Sequence, residues 1–111
     1  DEEIEEEYGD RHYTSIGVAE GTGIIASSRE SLFLPAVYKV EDVKTQGWGG
    51  LDIRELVSYE GLYSNVVSEG ERASFNGAVE RIEAKGKELY HRILIGSAAL
   101  KGRDYIKPLL S

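Results

Sequence analysis

The sequence predicts an all-β fold, a small antiparallel barrel or sandwich of five to six strands with at most one short helix. Apolar and polar residues alternate with a period of two in several stretches, most clearly in ELYHRILIGSA at residues 88–98. Glycine-rich or charged turn signals separate these stretches. The length of 111 residues suits one domain with one core.

The first half of the chain predicts strands and one short helix. Residues 13–27 contain two short apolar runs broken by three glycines, which predicts one or two short strands and a tight turn. Ser27 and Glu30 have the spacing of a capping box, and Pro35 limits the resulting helix to one or two turns. Residues 36–45, AVYKVEDVKT, alternate as a strand.

Residues 55–63 are predicted to form a strand that places Tyr59, Gly61 and Tyr63 on one face. Such a face is either a binding platform or a surface where Gly61 lets another element approach. We expect the second, because a glycine inside a strand costs stability unless a close approach or a bend requires it.

The second half adds a hairpin and a closing strand. In residues 72–84 the alternation changes face after Val79, which predicts a bulge near the preceding glycine. Residues 85–87, KGK, predict a hairpin turn, and Pro108 confines the last strand to an edge. One core is predicted: Val37, Val40, Leu56, Phe75, Val79, Ile82, Ile93, Ile95 and Ile106.

Charge divides the chain into two parts. The net charge is −7, and the first ten residues, DEEIEEEYGD, carry that whole excess of acids without one base. Blocks of like charge repel each other and stay solvated, so residues 1–12 are predicted as an acidic linker or tail and 13–111 as a single β-rich domain. Because the sequence starts at Asp1 in a linker-like stretch and contains no Met, we expect a piece of a longer polypeptide.

Composition excludes several chemistries. With no cysteine, the chain has no disulfide, no thiolate nucleophile and no zinc site built on thiolates. The two histidines lack metal-binding spacing, and no nucleophile–base pair is evident, so we predict no catalytic residue, no metal and no cofactor. No apolar run approaches the roughly 18 residues that span a bilayer, and no signal peptide is visible, which fits a cytoplasmic protein without a membrane partner.

Two short motifs are interpreted as structural. GTGIIA at residues 21–26 matches part of a dinucleotide-binding loop, but Pro35 prevents the long helix that such a loop requires. Gly96-Ser97 precedes Asp104, and one carboxylate cannot hold the two metal ions of nucleotidyl transfer.

One group of residues is a candidate contact for substrate or nucleic acid. Basic strands with aromatic side chains bind single strands in five-stranded barrels. Interleaved glutamates on the same hairpin favour an ordinary solvated edge instead. The candidate residues are Tyr59, Tyr63, Arg81, Lys85, Lys87 and Arg92.

Four stretches, LFLPAVYKVEDV, RELVSYEGLYSNVVSEGERASFNGAVERI, HRILIGS and RDYIKPL, resemble the C-terminal region of archaeal nucleotidyltransferase-domain proteins. In that family a β-rich tail domain follows a polymerase-β-like catalytic domain, and the similarity covers about residues 32–109. The resemblance implies that the catalytic Gly-Ser pair and carboxylates belong to an N-terminal domain of the same polypeptide. The matching positions are Ser58-Tyr59, Gly61, Tyr63, Glu69-Gly70-Glu71, Ile95-Gly96-Ser97 and Tyr105-Ile106.

The sequence therefore predicts a non-catalytic accessory barrel of a nucleotidyltransferase, which positions substrate or mediates subunit contacts. Its expected partner is the N-terminal catalytic domain of the same polypeptide. Three alternatives remain open: a module for single-stranded nucleic acid, a structural domain that forms a homodimer, and a barrel that binds a small ligand.

Overall fold

The computed structural model describes residues 10–32, 35–60, 63, 65–96, 100 and 102–109. These residues form strands and turns, and none of them lies in an α-helix. The strands are β1 (Arg11–Glu30), β2 (Ala36–Thr45), β3 (Ile53–Ser58), β4 (Arg72–Ala84), β5 (Lys87–Ile95) and β6 (Tyr105–Pro108). The predicted all-β class is confirmed.

Five strands close into a ring in the order β1-β2-β3-β5-β4, and β4 returns to β1. The long strand β1 closes the ring because it pairs with β4 through Arg11–Ile24 and with β2 through Gly21–Glu30. The short strand β6 pairs with β4 along residues 73–76, beyond the part of β4 that β5 occupies. Pro108 thus lies on an edge strand, as predicted.

One pairing differs from the antiparallel arrangement that we expected, because β3 and β5 run parallel from Ile53↔His91 to Ser58↔Ile95. The β4–β5 hairpin fixes the direction of β5, and the meander of β1, β2 and β3 fixes the direction of β3. Alternation of apolar residues reports only which side a residue faces, so it carries no information on this relative direction.

The prediction of one or two short strands with a turn over residues 13–27 is wrong, since β1 is one continuous strand of 20 residues. Its glycines make room for neighbours instead of forming turns. A Cβ at Gly21 would lie 2.3 Å from the carbonyl oxygen of Lys44, and the indole of Trp48 occupies the space beside Gly17. Glycines at such close approaches let a strand bend and a small barrel close.

The short helix predicted from Ser27 and Glu30 is also absent, because both residues belong to β1 and pair with Lys39 and Val37 of β2. A capping box satisfies two backbone groups of a helix, whereas the ladder with β2 satisfies the backbone of the whole segment. The turn after β1 is closed by Ser31, whose backbone N–H and hydroxyl both donate to the carbonyl of Ser28.

Strand β3 ends at Ser58, five residues before the predicted end. The Ser58 hydroxyl accepts a hydrogen bond from the backbone N–H of Glu60, which turns the chain out of the sheet. Tyr59 and Tyr63 therefore do not share a strand face, so the face predicted over residues 55–63 is not formed. Gly61 lies outside the described residues, so its predicted structural role stays a prediction.

The bulge expected in β4 near Gly77 is not found there. Instead, the neighbouring strands β1 and β5 each contain one extra residue opposite β4. Ile16 is the extra residue of β1 opposite Val79 and Glu80, and Leu89 is the extra residue of β5 beside Ile82. The KGK turn joins β4 and β5 as predicted, with Lys85 and Gly86 at positive φ.

The barrel interior holds most of the predicted core, with Leu56, Phe75, Val79 and Ile93 fully buried. Two predicted members differ. Val37 is only partly buried, and Ile82 is buried outside the main cluster, opposite Tyr90. Both side chains lie on the outer side of their strands. They are therefore not part of the single core that the inward-facing side chains form.

Gly77→Ala should destabilise the protein by at least about 1 kcal/mol, the lower end of overpacking costs. The added Cβ would lie 2.6 Å from both the Ile93 side chain and the carbonyl oxygen of Leu94, which is backbone and cannot rotate away. Urea unfolding measures the change. Gly49→Ala is the matched control, because no atom lies within 4 Å of its added Cβ. Equal stability of the two variants would contradict a close strand approach at Gly77.

Candidate functional site

The outer surface of β1, β4 and β5 carries an ion pair that is largely removed from water. Arg92 donates from Nε to Oε1 of Glu80 over 2.6 Å, and the two side chains are 13% and 14% exposed. The ring of Tyr13 covers the guanidinium, with its centroid 4.2 Å from Cζ of Arg92. This geometry combines a charge-assisted hydrogen bond with a cation–π contact.

The surroundings of Arg92 keep its charge in place. Burial disfavours the charged form, but the hydrogen bond and charge of Glu80 outweigh burial, with smaller contributions from Tyr59 and Tyr13, and the pKa of Arg92 is raised. The guanidinium is therefore a permanent cation in a fixed orientation.

Large apolar side chains remain exposed around this ion pair. Tyr13 is 46% exposed, Val18 is 47% exposed and Tyr59 is 57% exposed. The β1–β4 register places Tyr13 and Val18 on the same side of the sheet as Glu80 and Arg92, since Tyr13 pairs with Ile82 and Val18 with Ala78. We call Tyr13, Val18, Tyr59 and Arg92 the tyrosine face.

A buried carboxylate lies next to this face. Glu55 is 9% exposed and is opposite Arg92 in the β3–β5 ladder. It accepts hydrogen bonds from the Lys39 ammonium and from the Tyr90 hydroxyl, the latter over 3.2 Å. A carboxylate is tolerated at such low exposure only when charged or polar partners replace its water.

Tyr90 is held by cations as well as by Glu55. The guanidinium carbons of Arg54 and Arg11 lie 5.5 Å and 6.0 Å from its ring centroid. The pKa of Tyr90 is raised above its ordinary value of 10.0, chiefly because burial disfavours the charged phenolate. The charge of Glu55 raises this pKa further, and the charge of Arg11 lowers it by less. The phenol therefore stays protonated and donates its hydrogen to Glu55.

The six predicted contact residues do not form one surface. Arg81 faces the side opposite Arg92, next to the buried His91, and its Nε is 3.5 Å from Glu83. The turn residues Lys85 and Lys87 lie at the far end of the β4–β5 hairpin and have interactions of their own. Of these residues, Tyr59 lies close enough to Arg92 to contribute to its raised pKa.

Tyr63 is held within the barrel by two hydrogen bonds. Its hydroxyl donates to the carbonyl oxygen of Asp104 over 3.1 Å, and its own carbonyl accepts from the Tyr38 hydroxyl over 2.9 Å. Burial, assisted by the charges of Asp104 and Glu60, raises the pKa of Tyr63. Its ring packs against the core, as expected for a structural tyrosine.

Gly96 and Asp104 are joined by a hydrogen bond, whereas Ser97 lies outside the described residues. The Asp104 carboxylate is 3% exposed and accepts a hydrogen bond from the backbone N–H of Gly96. A carboxylate bound to a backbone amide in this way ties the residue after β5 to the residue before β6. Within the described ranges, no three His, Asp or Glu side chains are grouped so that they could hold a metal ion.

Tyr13, Val18 and Glu55 were missed by the sequence analysis. Tyr13 and Arg92 are far apart in the sequence, and the pairing of β1 with β4 and of β4 with β5 brings them together. A weak signal for Glu55 was available, because a lone acid in the apolar run ELV suggests a buried and paired carboxylate.

Comparison with known proteins gives one relative. The chain is 33% identical over 106 residues to Uncharacterized protein MJ1086 of Methanocaldococcus jannaschii. The alignment covers 96% of this chain but only 30% of the relative. No family model and no solved structure matches the chain. In the part of the chain that the structure describes, no helix is long and apolar enough to cross a membrane.

In an alkaline absorbance titration, Tyr90→Phe should remove one tyrosine whose phenol ionises at a higher pH than an ordinary tyrosine. A raised pKa in the folded state means that the protonated phenol contributes its full stability below about pH 10 and loses it as pH rises through the raised value. The variant should therefore show a smaller loss of stability above that pH. Tyr59→Phe, which removes an exposed tyrosine, is the control. Identical titration curves for the two variants would show that Tyr90 ionises like an exposed tyrosine.

Proposed function

We propose that this chain is a non-catalytic accessory barrel of a longer polypeptide, and that the tyrosine face docks against another domain of that polypeptide. The exposed aromatic side chains around the Arg92–Glu80 ion pair carry the proposal. Tyrosine and arginine are enriched in protein interfaces, where a few such residues supply most of the binding energy. The relative supports the longer polypeptide, since this chain spans 30% of its length.

The charge arrangement favours a protein partner over a phosphate backbone. Proteins that bind nucleic acid present cations to solvent, where phosphates can replace their counterions. Here five basic side chains form ion pairs with carboxylates of the barrel itself. These pairs are Lys39–Glu55, Arg54–Asp52, Arg72–Asp42, Arg81–Glu83 and Arg92–Glu80.

The longer polypeptide would be a nucleotidyltransferase, which we infer from the resemblance described above. In that arrangement an N-terminal domain performs the chemistry, and the barrel positions substrate or joins subunits. The burial of Asp104 is consistent with this division of roles, because the hydrogen bond from Gly96 occupies one of the two oxygens that a metal ion would need.

Binding of single-stranded nucleic acid is the second candidate. It is favoured by the position of Tyr13 and Arg92 on the outer surface of a five-stranded barrel, where OB-fold domains stack bases on aromatic rings. This alternative requires oligonucleotide binding that weakens steeply with salt. A docking face dominated by tyrosine contacts predicts little dependence on salt.

The remainder of the encoding polypeptide, produced as a separate chain, should bind this barrel in isothermal titration. Tyr13→Ala and Tyr59→Ala should each weaken binding by about tenfold or more, as expected for interface hot spots. Leu109→Ala removes a side chain that is 44% exposed beside Arg72, at the start of β4 and eight residues from Glu80, and is the matched control. Unchanged binding in both tyrosine variants would exclude the tyrosine face, and self-association of the chain in sedimentation would favour the dimerisation alternative.

The chain by itself should transfer no nucleotide from any nucleoside triphosphate in the presence of Mg²⁺. The physical reason is that the Asp104 carboxylate accepts a hydrogen bond from the Gly96 amide and belongs to no group of three metal-binding side chains among the described residues. Release of labelled pyrophosphate measures the activity. Transfer that persists through purification and disappears in Asp104→Ala would contradict the accessory role.

A further inference from the structure

A cleft of about 300 Å³ lies between the end of β1 and the start of β2, and it is lined by Ser27, Arg29, Glu30, Val37 and Lys39. Its volume is at the lower end of the range for small-molecule sites, roughly 300–1,000 Å³. We propose that this cleft binds a small zwitterion, of the kind represented by a free α-amino acid. This ligand site is separate from the docking proposed for the tyrosine face.

A β-bulge assembles the lining. Ser27 pairs with Lys39 and Glu30 with Val37, so two residues of β1, Ser28 and Arg29, stand opposite one residue of β2. The extra residue turns Glu30 to the side of the sheet that Ser27, Val37 and Lys39 share. Bulges re-aim side chains in this way and are frequent next to binding sites. Without it, Ser27 and Glu30 would face opposite sides of the strand.

Two charged groups of opposite sign are available in the cleft. Arg29 and Glu30 form no ion pair with any residue in the described ranges. The Arg29 guanidinium has the planar fork that binds a carboxylate through two hydrogen bonds. The Glu30 carboxylate can accept hydrogen bonds from an ammonium.

Lys39 is held in position at the wall of the cleft. Its ammonium donates to Glu55, which is buried and receives a second hydrogen bond from Tyr90. The Lys39 side chain remains 45% exposed, so donors stay available to a ligand. A cation fixed by a buried carboxylate loses less conformational entropy when it binds a ligand than a free lysine would.

The charge balance selects a zwitterion over a simple anion. Arg29 and Lys39 contribute two positive charges, and Glu30 with the Glu55 partner of Lys39 contributes two negative charges. A polyanion such as a phosphate ester gains no net attraction from this set, whereas a carboxylate at Arg29 and an ammonium at Glu30 each meet an opposite charge. Val37 supplies an apolar wall for a side chain.

The test uses the full 111-residue chain and follows backbone amide resonances by NMR. The probes are glycine and L-leucine as zwitterions, isocaproate as the leucine skeleton with the carboxylate alone, and isoamylamine as that skeleton with the ammonium alone. Both zwitterions should shift the resonances of residues 27–30 and 37–39. L-leucine should bind about tenfold or more tightly than isocaproate or isoamylamine, because each analogue leaves one charged group of the cleft without a partner.

Two variants separate the roles of the charged groups. Arg29→Gln should weaken L-leucine binding about tenfold, and Glu30→Gln should abolish the preference for L-leucine over isocaproate. Lys44→Gln is the control, because it removes one exposed positive charge from β2 outside the cleft. Resonance dispersion and thermal melting verify that each variant is folded.

The proposal is overturned if neither zwitterion shifts these resonances. It is also overturned if isocaproate binds the unaltered chain as tightly as L-leucine, or if Lys44→Gln weakens binding as much as Arg29→Gln. If no resonance shifts, the cleft binds no zwitterion. If isocaproate binds as tightly as L-leucine, the cleft recognises only the carboxylate. If Lys44→Gln is as weak as Arg29→Gln, binding depends on the overall charge of the chain.

Discussion

Closure of the barrel depends on β1, which is paired with β4 along one part of its length and with β2 along the other. A strand of 20 residues can serve both neighbours only if it bends, and its bulges and glycines allow this. Closure satisfies the backbone groups of five strands and leaves the short β6 as an added edge. The positions of all outer side chains follow from that ring.

Several charged side chains on the outer surface are held in ion pairs with low exposure. Glu55, Glu80 and Arg92 are largely withdrawn from water, and each is held by a partner on an adjacent strand. Exposed ion pairs contribute little to stability, and pairs that lose their water carry a desolvation penalty. The buried pairs therefore fix the positions of the Lys39 and Arg92 side chains more than they add to the stability of the barrel.

The two proposed contact regions share this network but differ in chemistry. Arg92 belongs to the tyrosine face, where exposed rings surround a cation that is already neutralised by Glu80. Lys39 belongs to the cleft, where Arg29 and Glu30 offer charges without partners in the described chain. Glu55 accepts a hydrogen bond from Lys39 and is opposite Arg92 in the β3–β5 ladder, so it lies between the two regions.

The sequence by itself determined the all-β class, the strand β2, the β4–β5 hairpin with its KGK turn, the edge position of β6 and most of the core. These features depend on local alternation, turn residues and the missing N–H of proline, which a sequence displays directly. Only the tertiary structure decided the parallel β3–β5 pair, the unbroken β1 and the contact of Tyr13 with Arg92. Each of these depends on register between distant segments, which ring closure sets and local patterns do not encode.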